Sequence, residues 1–152
     1  MVRKIIANNK KATFNYFIEN KTEAGIVLTG SEVKSLRLGK ANIEDAYASE
    51  HNNEILLHNA HISAYDKASY QNHHPTRTRK LLLHKLEIKK FIGKIKQKGY
   101  TIIPISLYFN EKNLVKIEIA LATGKKLYDK REEIKRRDWK KEQNSLLKLK
   151  NK

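Results

Sequence analysis

Apolar and polar positions alternate along residues 14–18, with Phe14, Tyr16 and Ile18 on one side, as in a half-buried strand. A second strand is expected at 25–28, and the polar stretch 19–23 connects the two. Residues 30–39, GSEVKSLRLG, predict a short helix between glycines, with Ser31 as N-cap and Gly39 just past the C-terminus. Val33 and Leu36 share its apolar side, and Lys34 and Arg37 an adjacent one. Short strands follow at 45–49, 54–58 and 61–64, punctuated by Asn52, Asn53 and Asn59, which tolerate left-handed turns. Residues 66–75 form a polar, aromatic loop. The strongest helical pattern covers 78–98: Ile88, Phe91, Ile92 and Ile95 recur at i, i+3, i+4 and i+7, and lysines fill much of the rest. Thr78 would open this helix and Gly99 end it. Residues 100–108 and 114–122 predict a hairpin turning at 110–113.

Short strands with turn signals, interrupted by one short and one longer helix, give a mainly β fold with flanking α-helices. A small closed or partly open antiparallel barrel accommodates them, and the oligonucleotide-binding barrel is one such solution. Composition alone does not choose among these barrels. Residues 1–128 suit one domain, and 129–152 form a tail.

The tail changes the picture most. It holds ten Lys/Arg and five Asp/Glu, a local charge of 10 − 5 = +5, with Trp139 as its one aromatic and no Gly or Pro. It can form a helix but cannot bury enough apolar surface to fold alone, so disorder is expected in the free chain. The whole chain carries a formal charge of +16. That favours a polyanion over an anionic membrane surface, although a lysine-rich genome bias would raise the charge by itself. With no cysteine there is no disulfide framework or thiolate zinc site, and a reducing compartment is permitted. The basic start lacks the apolar core of a signal peptide, and no apolar run approaches a membrane span. A soluble, cytoplasmic protein is expected.

Catalytic motifs are missing. The six histidines make no HExxH pair, and Gly124-Lys125-Lys126 departs from a phosphate loop at Ile119 and again at Lys126. No catalytic residue, metal or cofactor is expected. Basic residues do recur beside amides and aromatics, at Asn8–Lys11 before Tyr16 and at Arg77, Arg79 and Lys80 after Tyr70. Guanidinium groups fork onto phosphate, and aromatic rings stack on exposed bases. From the pattern alone, Arg79 is as readily a plain surface charge as a phosphate contact. Glu23 fits a turn residue beside Gly25 better than a carboxylate accepting from a base edge.

Several strings together carry a family resemblance: NKKA at 9–12, YFI at 16–18, EAGI at 23–26, Gly30 with EVKSLR at 32–37 and Gly39, Pro75 with Arg77 and RKLLL at 79–83, GYT at 99–101, and GKK at 124–126 with DKR at 129–131. From about Asn9 to Trp139 the chain resembles small protein B, the SsrA-binding family of bacterial trans-translation. The resemblance implies an oligonucleotide-binding-type barrel that binds the tRNA-like domain of transfer-messenger RNA (SsrA RNA). With elongation factor Tu and GTP, that RNA would be brought to stalled 70S ribosomes for rescue and tagging of incomplete proteins. It implies an adaptor without enzymatic activity. By position, Asn9, Glu23 and Leu82 match family residues important for RNA binding, which reverses the reading of Glu23. Lys10, Lys11, Tyr16, Lys34, Arg37, Arg79 and Lys80 lie in the same strings. The family tail becomes helical against small-subunit rRNA in the empty mRNA channel. Gly124, Lys125, Lys126, Asp129, Lys130, Arg131, Ile134 and Trp139 match that region. The alternative is a generic ribosomal or single-strand-binding barrel protein.

Overall fold

A computed structural model describes residues 3–66, 72–97, 99–124 and 127–150, with side chains in the last stretch for 131 and 134–145. Thirteen elements are formed by the described residues. They are β1 (Lys4–Asn8), α1 (Ala12–Asn15), β2 (Tyr16–Ile26), α2 (Gly30–Arg37), β3 (Ala41–Asn42), β4 (Tyr47–His51), β5 (Glu54–His58), β6 (His61–Ile62), β7 (Arg79–Leu82), α3 (Lys85–Ile95), β8 (Tyr100–Phe109), β9 (Val115–Gly124) and α4 (Leu127–Lys150).

The antiparallel sheet closes on itself. Strand order runs β8-β4-β5-β7-β2-β9, and β9 returns to pair with β8, while β1 adds to the edge of β8 beyond β4. This is the small oligonucleotide-binding-type barrel expected from the sequence. Alternation sorts the side chains: Leu107, Ile117 and Ala24 occupy one register row and are buried inside, and Leu81 joins them from β7. Neighbouring rows put Glu23, Glu118, Ser106 and Asn8 on the outer side of four adjacent strands. Each fully buried Ile or Leu contributes roughly 1.5–3 kcal/mol. The inward residues of six strands therefore dominate the energetics.

Helix α2 forms as expected over its eight residues, but its N-cap is Thr29, two positions before the expected Ser31. Thr29 Oγ1 accepts from the Glu32 N–H while Glu32 Oε1 accepts from the Thr29 N–H at 2.8 Å, a reciprocal capping box. At its other end Gly39 takes φ +73°, so Lys40 N–H donates to the Ser35 carbonyl and Gly39 N–H to that of Leu36. That left-handed turn closes the helix as a Schellman motif.

Three expectations need correction. The stretch 19–23 is not a connection: β2 runs unbroken from Tyr16 to Ile26, and the polar residues absorb a bulge at Asn20, φ +55°. Residues 14–15 belong to the single turn α1 and not to a strand. The helix expected from 78 begins only at Lys85, because Arg79–Leu82 is a strand between β5 and β2. A four-residue strand directly before a helix has too few positions for its period to show. His84 is the N-cap, with Glu87 Oε1 accepting from its backbone N–H at 3.1 Å. Of the expected stripe, Ile88, Phe91 and Ile95 pack on the barrel core, while Ile92 is half-buried outside that cluster.

Candidate nucleic-acid interface

Glu23 lies on β2 and Leu82 on β7, and the Gly25↔Leu82 register brings them together on the barrel's outer surface. Gly25 makes this possible, since a Cβ there would sit 3.2 Å from the Leu82 Cβ. Leu82 remains 51% exposed although it is a large apolar residue on a strand, so it has no packing role that explains it. Around the pair, Gly25, Leu83, His84, Glu87 and Lys116 line a hollow of about 360 Å³. A second hollow of about 340 Å³ shares Glu23 and Lys116 and adds Arg3 and Leu114.

Glu23 is held in place from beneath. The Tyr108 hydroxyl donates to Glu23 Oε2, and the Arg3 guanidinium lies 4.4 Å over the Tyr108 ring and 3.9 Å from the same oxygen. Burial, then the Glu23 hydrogen bond and charge, raise the Tyr108 phenol well above its ordinary range, so it stays a donor. Glu23 Oε1 is left without a hydrogen bond among the described residues. The site thus offers an anchored carboxylate acceptor, an exposed apolar side chain and a lysine around one hollow. That combination suits an unstacked base whose edge carries N–H donors and whose phosphate needs a cation.

Arg3, Tyr108, Lys116 and Glu118 were not singled out from the sequence. The hairpin turn at 110–113 carried the missing signal. It pairs Phe109 with Val115 and Tyr108 with Lys116, and β9 then hands that row to Gly25.

Asn9 sits elsewhere, at the corner between β1 and α1. Its backbone N–H donates to the Ile105 carbonyl at 2.8 Å and its Nδ2 to that of Pro104 at 3.0 Å, tying the corner to β8. Its Oδ1 is buried and has no partner among the described residues. Asn9, Lys11 and Tyr16 line a different hollow, about 440 Å³, with Tyr47, Glu44 and Asp45. Lys10 is exposed, and Lys11 Nζ lies 3.8 Å from Glu44. Lys34 and Arg37 are exposed on α2, with Lys34 5.6 Å over the Tyr65 ring. Lys80 faces outward and pairs with Glu54 at 3.0 Å.

Arg79 differs from all of these. On β7 it alternates inward, is 0% exposed, and donates through Nε to Glu32 Oε2 and through Nη1 to the Ala60 carbonyl at 2.7 Å. A guanidinium so committed cannot fork onto a phosphate, so its expected place on the RNA surface gives way to a structural one. Arg77 Nη2 donates to the other Glu32 oxygen at 2.5 Å. Burial pushes the Glu32 carboxyl up, but hydrogen bonds from Arg77, Thr29 and Arg79 outweigh it and hold the group below the usual carboxylate range.

Of the tail residues, Gly124 ends β9 opposite Tyr16. Arg131, Ile134 and Trp139 are exposed on α4, the last two at 46% and 61%. Lys125 and Lys126 lie outside the described residues, as do the side chains of Asp129 and Lys130. The structure carries the tail as a helix, the form expected on the ribosome. Near the body, Arg137 lies 5.5 Å over the Phe14 ring of α1. No described helix is long and apolar enough to cross a membrane, and the described residues hold no cluster of His, Asp and Glu fit for a metal.

Comparison with known proteins places the chain as a whole among its relatives. A family model described as SmpB protein matches residues 6–149. The SsrA-binding protein of Rickettsia canadensis (strain McKiel) is 60% identical over 148 residues, 97% of each chain. That of Rickettsia bellii (strain OSU 85-389) is also 60% identical over 148 residues, 97% of this chain and 98% of the relative. A solved structure described as "tmRNA-SmpB: a journey to the center of the bacterial ribosome" superposes with a TM-score of 0.67 at 46% identity, covering 79% of this chain and 84% of that one.

Proposed function

Because the chain belongs to the SmpB protein family, we propose that it binds SsrA RNA and acts with it on stalled ribosomes in trans-translation. The barrel grips the tRNA-like domain of that RNA, and elongation factor Tu with GTP joins through the RNA complex. The protein is an RNA-binding adaptor in the cytoplasm and performs no chemistry of its own. On the ribosome its tail, α4, occupies the mRNA channel left empty by a truncated message, against small-subunit rRNA. Free in solution the tail fluctuates. The i,i+4 spacings of Glu132 to Arg136 and Glu133 to Arg137 in the sequence would add only about 0.2–0.5 kcal/mol each to a helix, against roughly 1–2 kcal/mol of ordering entropy per residue.

One observation carries the body's part of this reading: Glu23 and Leu82, an anchored carboxylate and an unburied leucine, meet at one hollow beside Lys116. Each side chain can be removed without opening the core. Loss of a hydrogen bond to a charged group costs about 1.5–3 kcal/mol. Glu23→Ala is therefore expected to weaken binding of the tRNA-like domain by roughly 10- to 100-fold. Leu82→Ala, which removes apolar surface from the interface, should fall in the lower part of that range. Titration of fluorescently labelled tRNA-like domain reads both. Glu23→Gln keeps an oxygen for Tyr108 and separates the loss of charge from the loss of the anchor. Wild-type affinity in both alanine variants would remove this surface from the RNA interface.

A further inference from the structure

The solvent face of α3 takes no part in the hollows described above, beyond its first turn. At 100° per residue, Lys85, Lys89 and Lys96 fall within about 40° of one another, and Gly93, Leu86 and Lys90 continue that side over about 100° more. All six are exposed, Leu86 to 79%. None of these four lysines pairs with a carboxylate among the described residues, whereas Lys11, Lys40 and Lys80 each have one. The helix's own acid, Glu87, is spent on the His84 cap. Gly93 leaves an open lane between the lysines, since a Cβ there would meet nothing within 4 Å.

The face also begins where the Glu23–Leu82 hollow ends. Leu82 closes β7, His84 caps α3, and Leu83, His84 and Glu87 line that hollow. Charge and continuity thus select one occupant. We infer that the Lys85–Lys96 face of α3 extends the RNA-binding surface and takes the sugar-phosphate backbone of the same tRNA-like RNA that Glu23 and Leu82 contact. This rests on the function proposed above and deepens it. The lysines supply salt-dependent affinity through counterion release, and Glu23 with Leu82 supplies selectivity. From Lys85 to Lys96 the axis rises about 16 Å, enough to follow a strand over several phosphates. Leu86 packs on a ribose beside them.

The test compares wild type with K85Q/K89Q/K90Q/K96Q, binding the isolated tRNA-like domain across a salt series, with ordinary tRNA as competitor. Glutamine is close to lysine in helix propensity, so α3 should persist, and circular dichroism checks this. The slope of log affinity against log salt is expected to become shallower by roughly 0.7–0.9 for each phosphate that the variant no longer neutralises, about 3 if all four lysines engage. Discrimination against tRNA should stay at its wild-type ratio, and the corresponding four-arginine variant should keep the wild-type slope. An unchanged slope beside selective wild-type binding would overturn this inference alone and leave the proposed function standing. Selectivity that disappears with the lysines would overturn the division of labour. Wild type that fails to prefer the tRNA-like domain would overturn the function itself.

Discussion

Ending the chain after residue 128 is expected to abolish SsrA tagging on stalled ribosomes while leaving affinity for the tRNA-like domain within a few fold. The barrel closes through β8 and β9 before the tail begins. The approach of Arg137 to Phe14 is an exposed cation–π pair, of the kind that contributes about 0.5–1 kcal/mol. The hollow at Glu23 and Leu82 includes no described residue of α4. On the ribosome the loss is of another order. It removes the exposed Ile134 and Trp139 and the basic side chains that would fold against rRNA in the empty channel. A tagging assay on ribosomes stalled by a message lacking a stop codon, run beside an RNA titration, gives both readouts. Normal tagging by the shortened chain would refute the channel role.

The second large effect is on stability. Glu32→Ala strands two guanidinium groups, one of them fully buried, and also breaks the α2 capping box. Removing one partner of a buried pair costs about 3–5 kcal/mol. For a domain of this size that lowers Tm by on the order of 10–20 °C. Because the carboxyl is held below its ordinary range when folded, its contribution is present above the unfolded value near ~4.3. It is lost as pH falls through the depressed folded value. Thermal melts at pH 7 and at a series of pH values falling below ~4.3 check both points. A variant melting within about 2–3 °C of wild type, about one kcal/mol or less, would mean that the ion triad does not hold α2 to the barrel.

That triad also shows where the sequence was readable and where it was not. Helix α2, strand β5 and the β8–β9 hairpin announce themselves because their apolar periods span enough residues and end in Gly or Asn. The partnership of Glu32 with Arg77 and Arg79 crosses 45 and 47 positions. No local period encodes it, and a basic residue on an unrecognised four-residue strand passes for a surface charge. Once β7 is placed, alternation alone sends Arg79 and Leu81 inward and Lys80 and Leu82 outward. The same shift explains why Leu82 is a surface residue. The long β2 was hidden for the opposite reason: its polar middle serves the outer face of the barrel, where Glu23 sits. Tyr108 and Arg3, which anchor that glutamate, become visible only when the hairpin register is carried from β8 through β9 to β2.

The central claim is that this surface recognises a particular folded RNA and not polyanions in general. It is tested most directly by the affinity of the full chain for the tRNA-like domain of SsrA RNA at physiological salt, with ordinary tRNA in large excess. Binding that survives the competitor is the expected result. Binding that disappears would leave a basic barrel that takes RNA by charge alone, and would contradict that claim.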